Sequence, residues 1–312
     1  MAVQNNSQTL LLNEMTIRRN QRKRNISGWC FLLPSFIGFT IFRFIPILSS
    51  FFLGFTDWNL VSGLPGIKFI GMENYTALAT DSWFMDAFAN TFVYVIITIP
   101  ITIILSLLAA VIVNDRVYLR TPIRLMIYMP YISSIVAVSM VWLNLFSPSY
   151  GPINMFLKTF GIQNPPGWLQ SSKYALLSIA IIGIWQTVGY YMIIFIAGLQ
   201  NIPATYYEAA EIDGANVVQR FFKITLPVLS PTTFFVMITV VIQAFQIFTP
   251  IKIITQGGPG RATFVLVYYV YKLAVEYSKI GYANAVSVIL FLFVLLITFI
   301  QLKLQKRWVF FD

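Results

Sequence analysis

The acidic residues are the first candidates for chemistry in this chain, because the sequence has no histidine and a single cysteine, Cys30. Without histidine, Ser/His and Cys/His nucleophilic catalysis, histidine metal ligation and histidine proton relays are excluded. Three of the eleven acidic residues, Glu208, Glu211 and Asp213, fall within six positions. No histidine or cysteine accompanies them, so this cluster favours a contact surface over a catalytic or metal site.

These acids lie in a polar segment, 206–227, that is enclosed by two long apolar runs. Before it, Asn201 is a candidate helix cap and Pro203 suits the first turn of a short helix. Gly214 then supplies a turn with a left-handed or closely packed backbone. A second short helix follows, which we expect Pro227 to end. The pattern predicts a helix–turn–helix that lies flat on a membrane surface.

The spacing in this segment is specific. Glu-Ala-Ala at 208–210 is followed after three residues by Gly214 and after nine more by Ile-x-Leu-Pro at 224–227. This spacing resembles the cytoplasmic loop of the integral-membrane subunits of binding-protein-dependent ABC importers, whereas the alternative is an ordinary interfacial amphipathic helix. In that family the loop docks into a groove on the ATPase subunit and transmits its closure. The resemblance therefore implies an ATPase-coupling role for Glu208, Ala209, Ala210, Asp213, Gly214, Ile224, Leu226 and Pro227.

Composition places the chain in a membrane, because 58% of its 312 residues are hydrophobic and only 10% are charged. The net charge of +10 does not indicate a nucleic-acid partner, since the cations lie beside the apolar runs, as membrane anchors do. A run of about 20 apolar residues is long enough to cross the hydrocarbon core. Such runs lie near 29–55, 87–113, 123–146, 174–199, 227–254 and 283–302. We therefore predict an all-α polytopic membrane protein with six transmembrane helices.

The distribution of lysine and arginine predicts the orientation. Thirteen of these cations lie in the two terminal tails, the 114–124 loop and the 206–227 segment. The three loops on the opposite side hold seven. By the positive-inside rule both termini and the 206–227 segment are cytoplasmic. Arg43 lies within the first span, where a structural or snorkelling role and a subunit contact or path-lining role both stay open. The predicted parts are a cytoplasmic tail at 1–28, the first helix and external loop at 29–86, a five-helix core at 87–302 with the coupling loop 200–227, and a cytoplasmic tail at 303–312.

Further motifs resemble the carbohydrate branch of the same family, closest to its maltose, glycerol-phosphate and oligosaccharide permeases. They are LLP at 32–34, TDWN at 56–59, F-x-G-x-ENY at 69–75, NT at 90–91 and GGPG at 257–260, and the likeness extends over about 29–302. The resemblance implies a type I ABC importer permease in a bacterial-type cytoplasmic membrane. Its implied partners are a second homologous permease, two ABC ATPase subunits that use ATP and Mg, an extracytoplasmic sugar-binding protein and membrane lipid. The chain itself has no nucleotide loop, since GGPGRAT at 257–263 lacks the Lys-Ser/Thr pair and is expected to be a plain turn.

Polar side chains form helical stripes in three of the predicted spans. One explanation is that these side chains form hydrogen bonds between helices. The alternative is a translocation path whose neutral amides, hydroxyls and aromatic rings suit a sugar. Gln186 and Gln243 fall near the middle of their predicted spans. The second-span stripe is Thr91, Tyr94, Thr98 and Thr102, and the fourth-span stripe is Gly183, Gln186 and Tyr190 with Thr187 and Tyr191 beside it. The predicted path residues are Gln186, Tyr190, Tyr191, Thr239, Gln243, Gln246 and Tyr94.

The sequence favours a permease subunit of an ATP-driven importer for a sugar or oligosaccharide, which is not itself an enzyme and binds no cofactor. Amino acids, peptides or glycerol-phosphate are alternative cargoes for the same kind of subunit. An ion-coupled secondary transporter is a different class, and it predicts intramembrane carboxylates and an inverted repeat, neither of which the sequence displays. A membrane enzyme would need a nucleophile, an acid–base pair or a metal cluster at the interface, and the sequence offers none.

Overall fold

The structure is a computed structural model that describes residues 27–115 and 119–310, together with Gln21 and Asn25. Most of the predicted tail at 1–28 therefore lies outside the described residues. In the described part the chain is all-α, and its only β pairing consists of two isolated bridges. The chain divides into two compact units, Met1–Leu53 and Gly54–Asp312.

The first unit contains, in residues 27–53, one helix, α1, Ser27–Leu53, none of whose residues is buried. It is apolar on all sides, as expected for a helix surrounded by lipid. Its middle turn, Thr40–Phe44, is π-helical and contains Arg43, whose side chain is exposed.

The second unit contains the other helices. They are α2 Glu73–Leu78, α3 Ser82–Asp115, α4 Arg120–Ile132, α5 Ile135–Leu145, α6 Pro152–Thr159, α7 Ala175–Gln200, α8 Ala204–Ile212, α9 Val217–Val228, α10 Ser230–Phe245, α11 Leu266–Tyr271 and α12 Ile280–Trp308. Three π-helical segments, Phe221–Thr225, Ile251–Thr255 and Lys272–Glu276, interrupt or extend them. Because α12 continues to Trp308, the first residues of the predicted tail at 303–312 are helical.

Four helices, α1, α3, α7 and α12, are each long and apolar enough to cross a membrane. Two more candidate spans are bent pairs: α4 and α5 meet at 96°, and α9 and α10 meet at 66°. Counting each pair as one span gives the six transmembrane helices that the apolar runs predicted. The third and fifth runs are not single straight helices, because each contains a break.

The break in the third span lies at two serines. Ser133 has an extended backbone conformation, Ser134 is also non-helical, and the hydroxyl of Ser133 donates to the carbonyl of Met129 at 2.8 Å. A serine side chain that bonds the backbone competes with the helical pattern and favours such a bend.

The fifth run departs from expectation at both ends. Pro227 does not end the second short helix, which continues to Val228; the bend follows at Leu229, just before Pro231. Proline has no N–H to donate and fits the first turn of the next helix. At the other end, α10 stops at Phe245 rather than near 254.

Buried side chains of the second unit form two hydrophobic clusters along the long helices. One includes Ala87, Ile179 and Phe245, and the other includes Met192 and Phe195. Small residues allow close helix contact. At Gly189 of α7, for example, a Cβ atom would collide with the carbonyl of Ile127 on α4.

The chain before α3 folds back onto the start of α12. Gly281 donates its N–H to the carbonyl of Trp58 at 2.9 Å, and a Cβ at Gly281 would collide with the carbonyl of Thr56. The Asn74 amide donates to the carbonyls of Gly54 and Thr56, both at 2.9 Å. These contacts give structural roles to the TDWN and ENY motifs.

The glycine-rich turn at 257–263 is anchored to the beginning of α3. The Asn90 amide donates to the carbonyls of Arg261 and Phe264, and the backbone N–H of Leu266 donates to the hydroxyl of Thr91. Arg261 also forms an ion pair with Asp86 at 2.9 Å. The NT motif therefore fixes the position of this turn.

Candidate functional site

The acidic segment folds into two short helices joined at a glycine, as its sequence predicted. Helix α8 ends in a Schellman motif: Ala215 donates its N–H to the carbonyl of Ala210 at 2.9 Å, and Gly214 donates to the carbonyl of Glu211 at 3.1 Å. Gly214 has a φ of 74°, a conformation that suits glycine and strains residues with a Cβ. The turn therefore has a fixed geometry.

The cap residues differ from the prediction. Asn201 terminates α7 rather than starting the next helix, and Pro203 immediately precedes α8. Within this segment, the side-chain cap lies at the start of α9. There Asn216 accepts from the N–H of Gln219, and the Gln219 side chain accepts from the N–H of Asn216, both at 2.9 Å. This reciprocal capping box makes the start of α9 rigid.

A hydrogen bond holds the two short helices together. The hydroxyls of Tyr207 on α8 and Thr225 on α9 are 3.0 Å apart. Tyr207 also packs, with Phe221 and Leu226, against the buried cluster that contains Leu199 and Leu229. The base of α8 and α9 therefore belongs to the same core as the long helices.

The predicted coupling residues divide by exposure. Glu208, Ala209, Asp213 and Gly214 are exposed, Ala210 is buried, and Ile224, Leu226 and Pro227 are partly buried. The exposed side of the segment also contains apolar residues that the motif does not include. Ile212 is 88% exposed, and Val218 and Phe222 are 64% and 61% exposed. Exposed apolar side chains on a polar segment are typical of a surface that contacts a protein or a membrane.

The polar stripes of three helices meet at a cavity of about 210 Å³, which we call the midspan cavity. All sixteen residues that line it are uncharged. Its amides and hydroxyls can donate and accept hydrogen bonds, and its rings offer apolar faces. Of the predicted path residues, the lining includes Gln186, Tyr191, Gln243, Gln246 and Tyr94, together with the stripe residues Thr98, Thr102, Gly183 and Thr187.

Two predicted path residues are not in this lining. Tyr190 stacks on Tyr131, with ring centroids 4.4 Å apart, and contacts Tyr191 edge-on. The hydroxyl of Thr239 donates to the backbone of its own helix, at Phe235 and Val236. Tyr131 was missed by the sequence analysis, because the third span shows no polar stripe and a tyrosine pair gives only a weak signal.

Both explanations of the stripes find support in the wall of the midspan cavity. The hydroxyl of Tyr191 on α7 donates to Oε1 of Gln243 on α10 at 2.8 Å, which is a hydrogen bond between helices. The hydroxyls of Thr98 and Thr187 bond carbonyls one turn back on their own helices. These hydroxyls can still accept a hydrogen bond from a ligand.

Gln243 lies in the last turn of α10 rather than in the middle of a continuous span. After Phe245 the backbone leaves the helical conformation at 246–248 and becomes helical again from 249, and residues 246–250 form part of the cavity wall. Non-helical backbone at membrane depth is tolerated where it lines a cavity, and broken helices of this kind often form substrate sites in transporters.

Comparison with known proteins identifies the family. The family described as "Binding-protein-dependent transport system inner membrane component" matches residues 75–309, more than half of the chain. The chain belongs to this family. It is therefore a transport permease of a binding-protein-dependent system and a multi-pass membrane protein.

Two curated relatives resemble the permease over nearly all of their length. A "Probable ABC transporter permease protein YesP" of Bacillus subtilis (strain 168) is 39% identical over 94% of this chain and 95% of the relative. The "Lactose transport system permease protein LacF" of Rhizobium radiobacter is 35% identical over 92% of this chain and 97% of the relative.

A solved structure shares the fold. It is a chain of a bacterial alginate ABC transporter, crystallised in complex with an alginate pentasaccharide-bound periplasmic protein. The TM-score is 0.80 at 23% sequence identity, and the match covers 92% of this permease and 96% of that chain.

Proposed function

We propose that this permease moves a sugar or oligosaccharide, delivered by an external binding protein, across the bacterial cytoplasmic membrane. The observation that carries the choice of cargo is the midspan cavity, whose lining is polar and aromatic but uncharged. Sugars offer hydroxyls to amides and C–H faces to aromatic rings. An amino acid or a glycerol-phosphate carries a fixed charge, for which this lining provides no counter-ion.

Within the cavity we assign contact roles to individual side chains. Gln186 and Gln246 donate and accept hydrogen bonds with sugar hydroxyls, and the half-buried Phe248 offers a ring face, while the buried Tyr94 and Tyr191 form the wall behind them. Gln243 can use its amide N–H₂ for the ligand, because its oxygen accepts from Tyr191.

The size of the cavity supports a site shared with another subunit. A pocket that encloses a drug-sized ligand has a volume of about 300–1,000 Å³, and the midspan cavity has about 210 Å³. In our proposal a second homologous permease supplies the remaining wall, and an oligosaccharide extends between the two.

Energy for transport comes, in this proposal, from two ABC ATPase subunits that bind ATP and Mg. Helices α8 and α9 form the contact, with Glu208, Ala209, Asp213 and Gly214 exposed toward an ATPase and with Ala210, Ile224, Leu226 and Pro227 forming the base. The exposed Ile212 fits an apolar groove on such a partner. Closure of the ATPases then moves α9 and α10, since the base of the segment belongs to the core.

Reconstitution tests the function and its alternatives together. The permease is assembled with its partner permease, ATPases and binding protein in lipid nanodiscs, and ATP hydrolysis is measured with lactose, maltotriose, an amino-acid mixture or glycerol-phosphate. We expect a neutral sugar to stimulate hydrolysis several-fold. Stimulation by amino acids or glycerol-phosphate but by neither sugar would overturn the assigned cargo, and failure of any ATPase to co-purify would overturn the coupling.

A further inference from the structure

A second cavity lies between the segment that precedes α3 and the segment that leads into α12. Its volume is about 600 Å³, and five aromatic rings belong to its lining: Trp58, Trp83, Tyr269, Tyr277 and Tyr282. We call it the aromatic cavity. It shares no lining residue with the midspan cavity. Along α3, Trp83 precedes Tyr94 by eleven residues, which corresponds to about 16 Å of helix.

Backbone hydrogen bonds hold the walls of the aromatic cavity in place. Gly281 donates to the carbonyl of Trp58, and Leu60 donates to the carbonyl of Ser278, both at 2.9 Å. Asn59 and Lys279 form an isolated antiparallel bridge. The two walls are therefore preformed, which lowers the entropic cost of binding a ligand between them.

Asp81 fixes two of the rings. Its carboxylate accepts hydrogen bonds from the hydroxyls of Tyr269 and Tyr282 and from the backbone N–H of Trp83. Burial alone would raise the pKa of Asp81, but these hydrogen bonds outweigh it and hold the pKa below its ordinary value. The carboxylate is thus occupied with positioning rings.

A metal ion is a poor match for this cavity. Among the described residues there is no group of three or more histidine, cysteine, aspartate or glutamate side chains that could hold a metal. Of the two carboxylates in the lining, Asp81 already accepts three hydrogen bonds, which leaves Asp57.

Several polar groups at the opening remain available to a ligand. Asp57 and Lys279 are exposed, and neither belongs to an ion pair in the part of the chain that the structure describes. Tyr277, also exposed, adds a ring at the same opening. A carboxylate, an amine and an aromatic face together match the hydroxyls and the C–H face of a sugar ring.

We infer that the aromatic cavity is a second carbohydrate-binding site, separate from the midspan cavity. Its volume falls within the range of about 300–1,000 Å³ that is typical of ligand pockets. The inference rests on the proposed function only in taking the transported sugars as its ligands.

Photo-cross-linking distinguishes sugar binding at one cavity from sugar binding at the other, because the two cavities share no lining residue. The assembled complex in nanodiscs is illuminated with diazirine-tagged lactose or maltotriose, and the labelled peptides are mapped by mass spectrometry. We expect labels on peptides that contain residues 57–83 or 269–282. Excess untagged sugar that is present during illumination should prevent this labelling. Tyr277→Ala and Lys279→Ala should each lower that labelling at least about five-fold, because each removes one exposed ligand contact.

Tyr150→Ala is the matched control, because Tyr150 is an exposed tyrosine that lines neither cavity. It should leave labelling of the aromatic cavity unchanged. Labels confined to peptides of the midspan cavity would overturn this inference and leave the proposed function standing. Labelling at the aromatic cavity that neither substitution lowers would also overturn it. So would the absence, with both probes, of any labelling there that excess untagged sugar prevents.

Discussion

At the scale of single residues, the hydrogen bond between Tyr191 and Gln243 joins stability and binding in one contact. Tyr191 is 1% exposed, and its hydroxyl donates to the Oε1 atom of Gln243, so removing that acceptor leaves a buried donor without this partner. Leaving a buried hydroxyl unpaired costs about 1–3 kcal/mol, whereas replacing both partners with apolar groups is nearly neutral. The two roles of Gln243 can therefore be separated with a double substitution.

We expect Gln243→Leu to lower both the thermal stability of the complex and the rate of sugar transport. Adding Tyr191→Phe should restore most of the stability, because no polar group is then stranded. Transport should remain roughly ten-fold slowed, since the amide that binds the sugar is still absent. Melting temperature and vesicle uptake are measured on the same preparations.

Gln301→Leu is the matched control for this experiment. Gln301 lies on α12 outside the midspan cavity, and its buried Oε1 has no hydrogen-bond partner among the described residues. The same substitution there should leave transport unchanged. Wild-type transport by the double variant would show that Gln243 only packs helices.

Asp81 offers a prediction about pH. Its lowered pKa means that the folded state favours the carboxylate, so its stabilisation is present above the ordinary pKa of 3.8 and is lost as the pH falls toward the lowered value. Asp81→Asn should destabilise the protein at pH 7 by about 1.5–3 kcal/mol, the contribution typical of hydrogen bonds to a charged group. The difference in melting temperature between wild type and variant should shrink below about pH 4.

Asp57→Asn controls for the loss of a negative charge, because Asp57 is exposed and belongs to no ion pair in the described structure. We expect its melting temperature to match that of wild type at every pH. A destabilisation by Asp81→Asn that stays the same from pH 7 to pH 3 would contradict the assigned charge effect.

At the scale of elements, the sequence located the apolar runs but not the breaks within them. A run of about 20 apolar residues has few folded alternatives to a membrane helix, so α3, α7 and α12 were predictable. Serines such as Ser133 also occur inside continuous membrane helices, and the sequence alone does not tell which of them adopts an extended backbone. Similarly, Pro227 and Pro231 are both candidate break points, and only packing selects the second.

The candidate sites, like the helices, have parts that the sequence predicted and parts that it did not. The Glu-Ala-Ala and glycine spacing gave the two short helices and their turn, because a left-handed residue in a helical turn has a strong sequence signature. The midspan cavity was predictable on three helices from stripes spaced by one turn. Its wall at 246–248 was not, since the predicted fifth span ran through these residues, whereas the structure has a break in the helix there.

For the turn between α8 and α9, we expect Gly214→Val to abolish the stimulation of ATP hydrolysis by substrate. A β-branched residue with a positive φ is strained by about 1–2 kcal/mol or more, so the turn would relax and tilt the two short helices. No atom lies within 4 Å of where the Cβ would be, so within this chain the effect comes from the backbone alone.

Gly214→Asn is the matched control, because asparagine tolerates the left-handed conformation far better than valine. It should retain most of the stimulated activity. If Asn and Val are equally inactive, contact with the partner rather than backbone strain explains the glycine. Full activity of the Val variant would remove the turn from the coupling mechanism.

At the scale of the whole molecule, the number of crossings decides which loops share a side. If the chain crosses the membrane once through α4–α5 and once through α10 and the residues that follow it, it crosses six times. If α4–α5 and α9–α10 instead enter and leave on the same side, only α1, α3, α7 and α12 cross. Residue 172 and residue 223 each change sides between the two arrangements. Residue 62 lies on the same side in both.

We expect six crossings with the 204–228 segment in the cytoplasm, because thirteen of the cations then lie inside, in accord with the positive-inside rule. Single cysteines replace the exposed residues Ser62, Ser172 and Lys223 in a Cys30→Ser background, since Cys30 is itself exposed. With an impermeant maleimide on intact cells, Ser62→Cys and Ser172→Cys should react, whereas Lys223→Cys should react only after permeabilisation. Labelling at 62 and 223 but not at 172 would mean four crossings, and labelling at 223 alone would reverse the orientation.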